Sequence, residues 1–293
     1  MATGGASPST VLRTARNVYQ TDGVGELLRT GLEYAISRPR VHPRVHWWLA
    51  SAYYRRRCVN DVAGYDPPVD PFRLEWVSPD SIRRHTRREY PPYRGRLDLF
   101  GAVRSGDWDV RETPPVDSTY DGPPASLFVD ETFEDSVLYR SFAAHFEDGV
   151  PWEETELVRE ALRLVSEPTP ERVWHECETE AEVRRRCRLL DDLFESVERE
   201  GYHSQRQRLG RDPSVGFRHC LRHEITVDIG RNGELLLVCG KHRLALAKLL
   251  DLERVPVVFL VRHESWMDRR ATLARQGQRL DHPDVPARAG THS

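Results

Sequence analysis

The sequence predicts an α+β fold, and three stretches carry that reading. Ile225, Val227 and Ile229 alternate with polar neighbours, Asn232-Gly233 supplies turn chemistry, and Leu235 to Val238 forms an apolar run, so 225–238 is a hairpin. A helix follows from Gly240 to Leu252, and a buried strand from Val255 to Val261. Upstream, Thr179 and Glu182 make a Thr-x-x-Glu capping box, and Val183, Cys187, Leu190, Phe194 and Val197 continue one helical stripe to Gly201.

The other elements follow in chain order. Residues 1–66 form a helical extension whose stretch 9–57 is basic: Arg13, Arg16, Arg29, Arg38, Arg40, Arg44 and Arg55 to Arg57 oppose only Asp22, Glu26 and Glu33. Val11, Leu12, Val18, Leu27, Leu28, Tyr34, Trp47, Trp48, Tyr53 and Tyr54 are interleaved with them. That mixture suits an anionic membrane surface, and equally helices packed on a domain with their arginines solvated. Asp66 to Asp70 reads as a linker, and the main domain, 67–266, opens with a half-buried strand over Phe72 to Val77. Residues 105–126, rich in Gly, Pro, Asp and Ser, are loop. Val137, Leu138, Phe142 and Phe146 recur at helical spacing before Gly149, and a further helix covers 153–165 with Leu157, Ala161, Leu162 and Val165 inward. After Trp266 periodicity fades, so 267–293 is expected to be a flexible tail.

Bulk properties narrow the function. At 293 residues and 39% hydrophobic composition the chain can bury a real core. It has no run of roughly 18 apolar residues and no apolar signal core at its start, so the expectation is a cytoplasmic protein, at most peripheral to a membrane. The five cysteines form no CxxC pair, which favours reduced thiols. Only two of the 43 basic residues are lysines, and both, Lys241 and Lys248, fall in the helix that starts at Gly240. No nucleophile elbow, Walker loop or dinucleotide-binding glycine fingerprint is present. His203, His219, Cys220 and His223 resemble a metal cluster by composition but lack zinc spacing, so no metal is assigned to them. Arg262-His263-Glu264 ends the last strand, where α/β ligand clefts gather, although a solvated strand end is the plainer reading.

The segment that carries chemistry is Gly240-Lys241-His242-Arg243. A strand leading through glycine into a helix that opens with cationic side chains makes an anion site, because backbone N–H groups and the helix dipole face the ligand. Glycine lets the backbone approach closely.

From Leu237 to Leu250, and on through Arg254-Val255-Pro256-Val257-Val258, the chain resembles the G-x-[HR]-R-x-x-A-A segment and following strand of the ParB/sulfiredoxin superfamily. The stretch Leu190 to Gly201 is similar to the helix that precedes the hairpin there, and Leu74 to Ile82 resembles the opening strand and turn. The resemblance is firmest over about 190–262. It implies a compact α/β core carrying a large, mainly helical insertion over about 105–180 and a helical N-terminal extension. It further implies that Gly240, Lys241, His242 and Arg243 contact the phosphates of a nucleoside di- or triphosphate or another phosphorylated small molecule, magnesium accompanying it. Arg243 would bind bidentately, and His242 would donate a hydrogen bond or transfer a proton.

Two departures matter. Lys241 stands where sulfiredoxins place their reactive cysteine, and Cys239 stands where free-serine kinases of the superfamily carry an Asp. A kinase-like phosphotransferase acting on a small or lipid-linked acceptor would therefore need acids from elsewhere, and Asp107 and Asp109 in Gly106-Asp107-Trp108-Asp109 are the candidates, a solvated turn around a packed Trp108 being the plainer alternative. The competing reading is a noncatalytic regulator that responds to a nucleotide. A DNA-binding partition role fits poorly, because only about thirty residues follow Trp266 and the net charge is −3.

Overall fold

The computed structural model describes residues 42–285 except 121, 168–173, 175–176, 210, 213–214 and 279, together with residues 24 and 31–32. Most of the basic stretch 9–57 and the end of the tail lie outside the described residues. The fold is mixed α+β.

Its centre is a six-stranded mixed sheet of β1 (Leu74–Val77), β2 (Ile82–His85), β3 (Ala102–Arg104), β4 (Ile225–Ile229), β5 (Leu235–Cys239) and β6 (Val255–His263). The strand order is β1-β6-β4-β5-β2, with β3 also on β6. All nine residues of β6 are buried, the apolar run over 255–261 as its composition requires and Arg262 and His263 with it. Along one edge β6 pairs with β1 at Val255 to Val258 and with β3 at Val261 to His263; along the other it pairs with β4. The hairpin and the last strand lie where periodicity puts them. The short strands β2 and β3 were not foreseen, because Ile82-Arg83-Arg84-His85 and Ala102-Val103-Arg104 carry too few apolar residues to show a period.

Side chains alternate between two faces. Ile225, Val227, Ile229, Leu235, Leu237, Val255, Val257 and Phe259 belong to the main apolar core. The intervening positions include Thr226, Asp228 and Arg262, all buried. The Asp228 carboxylate accepts from the Thr86 hydroxyl at 2.7 Å, from Arg88 Nε at 2.6 Å and from the Val261 N–H at 3.1 Å, which joins the chain beyond β2 to β4 and β6. A buried carboxylate is tolerable only with such partners.

Among the described residues from 42 onward the α-helices are α1 (Pro43–Arg57), α2 (Val137–Phe146), α3 (Glu156–Val165), α4 (Glu180–Glu200), α5 (Gln205–Arg208), α6 (Phe217–His223), α7 (Lys241–Leu249) and α8 (Glu264–Arg275). The capping box at Thr179 forms in full, with both Thr179 and Glu182 engaged. Helix α3 starts three residues later than the expected 153, because the Thr155 hydroxyl caps the Val158 N–H and Trp152–Glu154 winds as a separate 3-10 turn. Among the described residues of the insertion, α-helix begins at Val137; before it the chain runs through turns and one 3-10 turn at Ala125–Leu127.

Two compact units divide the chain, residues 1–57 with 204–223 and residues 58–203 with 224–293. The extension thus ends at Arg57 and takes in a stretch more than 140 residues away in sequence. Within that unit Tyr54 stacks on Phe217 with ring centroids 5.2 Å apart, and the Phe217 N–H donates to His46 Nε2 at 3.2 Å. Val45, Trp48 and Leu49 face outward on α1.

The expectation of a flexible tail from 267 is corrected. Residue 267 lies inside α8, whose Trp266, Met267 and Arg270 are buried. Beyond it Asp284, fully buried, accepts from Arg262 Nη2 at 2.6 Å and from Trp266 Nε1 at 3.0 Å, while His282 Nε2 lies 2.8 Å from the Gly233 carbonyl. Gly233 has φ +90°, and a Cβ there would lie 2.7 Å from the Trp266 ring, so the glycine serves both the turn and the docked tail. These partners sit up to fifty residues apart, beyond any local pattern.

Burial alone would raise the Asp284 carboxyl, but the charge and hydrogen bonds of Arg262, the Trp266 N–H and Arg270 hold it below its ordinary value. Asp284→Ala should cost about 3–5 kcal/mol in urea unfolding at pH 7, because it leaves Arg262 buried without its partner. Since the folded value is depressed, the contribution is full above about pH 4 and is lost as pH falls through that lowered value. Asp284→Asn should therefore show a smaller drop in stability between pH 7 and pH ~3 than the wild type.

Candidate functional site

Strands β2 and β5 run parallel, with His85 level with Leu237, so they end toward the same side of the sheet, where antiparallel β4 begins. There Gly240 turns the chain into α7 with φ +95°, and a Cβ on it would lie 2.9 Å from the Ile225 Cα. Because the obstacle is backbone, only glycine permits this approach. The nine-residue helix α7 therefore begins directly against the first residue of β4.

Gly240, Lys241, His242 and Arg243 come together as the sequence implies, but their side chains divide into two kinds. His242 is buried; its Nε2 accepts from Trp174 Nε1 at 2.8 Å, and the ring lies 5.7 Å from Phe142. That nitrogen is engaged, so His242 orients the helix start, and the proton-transfer role implied for it finds no support in this arrangement. Lys241 points elsewhere: its Nζ lies 2.9 Å from the centroid of the Phe128 ring. Burial first, and then the Arg186 charge, draw the Lys241 ammonium down to about 7, Cys239 opposing them. Arg243 acts on Tyr202, whose phenol burial raises and the Arg243 charge pulls partly back.

Two residues that sequence reasoning missed complete the group. Arg186, on α4, has a buried Nε without a hydrogen-bond partner, and burial lowers its pKa with Arg243 adding repulsion and Cys177 opposing. His85, at the end of β2, is only 5% exposed, and neither ring nitrogen reaches a partner at hydrogen-bonding geometry; the adjacent Leu237 carbonyl takes the Thr86 N–H at 2.8 Å. Burial, then Lys241 and Arg87, draw the His85 imidazole down to about 3. Arg186 follows Val183 by three positions and so borders the apolar stripe of its helix, a signal that was present; His85 had none, since its strand was not foreseen. Among the described residues no hydrogen bond or ion pair compensates Lys241 or Arg186. By contrast Lys248, farther along α7, pairs with Glu134 at 2.5 Å and Asp80 at 3.5 Å. Unpaired buried donors and cations repel one another at a cost that a bound anion offsets.

The carboxylates proposed for catalysis are elsewhere. Arg231, in the β4–β5 turn, donates to Asp109 through its backbone N–H at 2.7 Å and its Nη2 at 2.8 Å, and to Asp107 at 2.8 Å. That turn is the opposite end of the hairpin from Gly240, separated by the five residues of β5, roughly 16 Å. Burial would raise the Asp109 carboxyl, but Arg231 holds it below its ordinary value. Trp108 is buried, with its Nε1 donating to the Arg104 carbonyl at 3.3 Å. Asp107 and Asp109 are thus clamps on a turn. Arg262 and His263 lie at this same far end and are buried, so they neither flank the α7 start nor stand solvated. His219, Cys220 and His223 fall on or beside α6, and among the described residues no three His, Cys, Asp or Glu side chains converge as a metal requires. At the α7 end, Glu224 is buried one residue before β4, and its charge reaches Tyr202.

Asp109→Ala should lower the thermal unfolding midpoint while leaving pyrophosphate affinity within about twofold of wild type in calorimetry. A larger loss of affinity in a folded variant would return the far-end acids to the site.

Comparison with family models, with curated proteins and with solved structures finds no match for this chain.

Proposed function

We propose that this protein binds a phosphate-bearing anion, a nucleoside di- or triphosphate, at the start of α7, in the manner implied by its resemblance to the ParB/sulfiredoxin superfamily. The observation that carries the reading is the pair of uncompensated cations, Lys241 and Arg186, gathered with Arg243 and the unpartnered His85 where Gly240 opens a helix. A helix N-terminus adds its own partial positive charge and unbonded N–H groups to such a group. An exposed aromatic ring supports a nucleoside over bare phosphate: Tyr93 is 43% exposed, and its phenol is raised by burial and Tyr120 with a smaller contribution from Cys239, the residue before Gly240. A base stacked on such a ring gains contact without needing a specific hydrogen bond.

Between the two functional classes, the far-end position of Asp107 and Asp109 favours a nucleotide-responsive regulator over a kinase-like phosphotransferase. Phosphoryl transfer needs a base and metal carboxylates beside the phosphates, and Cys239 supplies neither. Magnesium, if it accompanies the nucleotide, would be held chiefly by phosphate oxygens.

A thermal-shift and calorimetric panel of ATP, ADP, CTP, GTP and pyrophosphate, with and without magnesium, tests the reading, because a ligand at 100 times its Kd stabilises the native state by about 2.7 kcal/mol. Arg186→Met should weaken the best ligand about 10- to 150-fold, the usual worth of a charge-assisted hydrogen bond. The same substitution should leave the ligand-free unfolding midpoint unchanged or raise it, since it removes an unpaired, partly buried charge. No stabilisation by any member of the panel would sink the proposal.

A further inference from the structure

We propose that Lys241 is a proton-loaded ligand, an amine on the Phe128 ring that sheds its proton on the alkaline side of neutrality and takes one up from solvent when a phosphate-bearing anion binds at the start of α7. The inference rests on the anion-binding reading and concerns how that site is regulated by pH. Nothing is oxidised or reduced: a solvent proton bonds to the Nζ lone pair, and the new ammonium faces the anion.

The geometry carries the argument. An ammonium has three donors, and among the described residues Lys241 uses none of them, its Nζ lying 2.9 Å from the Phe128 centroid. The groups around it come from several elements. Arg186 approaches from α4, Cys239 from β5, and His85 from β2 with Arg87 just beyond it. From α2, Phe142 meets the neighbouring His242 ring. Of the carboxylates near α7, Asp80 and Glu134 are spent on Lys248, and the charge of Glu224 acts on Tyr202. The surroundings thus hold two arginines, a neutral imidazole, a thiol and an aromatic face, none of which replaces the water an ammonium gives up. Consistent with this, the amine is drawn down to about 7, whereas His85 is held at about 3 and does not compete for the proton near neutrality. The Phe128 face favours the ammonium and keeps the group poised between its two forms.

The sign follows from linkage. The ligand-free group loses its proton as pH rises through about 7, and an anion beside it raises that value, so protons are taken up on binding above about pH 7 and not well below it. Apparent affinity should therefore be flat on the acid side. Above about pH 7 it should fall by up to about tenfold per pH unit until the bound-state value is reached.

Isothermal titration of the full chain with sodium pyrophosphate, at about pH 6 and about pH 8.5 in two buffers of different ionisation enthalpy, counts the protons. Pyrophosphate titrates in this range itself, so Lys241→Arg, which stays charged, supplies the ligand's own share, and Lys241→Met serves as a second non-titrating control should the arginine not fit over Phe128. Wild type should take up nearly one proton more than either variant at about pH 8.5 and almost none more at about pH 6. Equal uptake by wild type and variants at both pH values overturns this inference while leaving anion binding intact. Absence of pyrophosphate binding by wild type overturns both this inference and the phosphate-binding reading.

Discussion

The contact on which the site depends is the approach of Gly240 to Ile225. A Cβ at this position would meet the Ile225 Cα at 2.9 Å, so the end of β5 can lie against the start of β4 only if residue 240 is glycine. Its positive φ then swings the chain directly into α7. The first turn of that helix is brought to the place where β2 also ends. Four separate stretches, β2, β5, α4 and the chain around Phe128, thereby surround a single helix start.

What gathers there is energetically unfavourable by itself. Lys241 and Arg186 are partly buried without an ion pair among the described residues, and His85 is buried with both ring nitrogens unsatisfied. Elsewhere the buried carboxylates are met by cations: Asp228 receives the Thr86 hydroxyl, Arg88 and the Val261 N–H, and Asp284 receives Arg262 and Trp266, even though single atoms such as Arg262 Nη1 lack a hydrogen bond. What sets the α7 end apart is that two partly buried cations without a counterion among the described residues, Lys241 and Arg186, lie close to each other there. The far-end acids are silent in this respect. Asp107 and Asp109 are already neutralised by Arg231, and their work is to hold the β4–β5 turn.

The two ends of the sheet thus have different tasks. At the far end, Arg231, Asp109, His263, Gly233 and the docked Asp284 segment tie the hairpin turn and the last helix into one network. At the near end the side chains are left with donors to spare. Stability concentrated at one end lets the other tolerate repulsion among its cations, as functional sites commonly do.

By itself the sequence determined the elements whose signals are local: the capped helix from Thr179, the hairpin turning at Asn232-Gly233, the helix after Gly240 and the apolar run of β6. Each is set by spacing, capping or turn chemistry over fewer than about twenty residues, which is the range such patterns reach. It also located half of the candidate site, because Gly240 to Arg243 are contiguous. Tertiary structure decided the rest. His85, Arg186 and Phe128 join the motif from positions 55 to 156 residues away, and nothing in the short polar strand around His85 distinguishes it from loop. Asp109 reads as a solvated or catalytic acid until Arg231 is placed beside it. The tail reads as disordered until Asp284 meets Arg262 across 22 residues. In each case the deciding term is the free energy of a charge buried with or without its counterion, and that depends on distances between segments, which composition and periodicity do not encode.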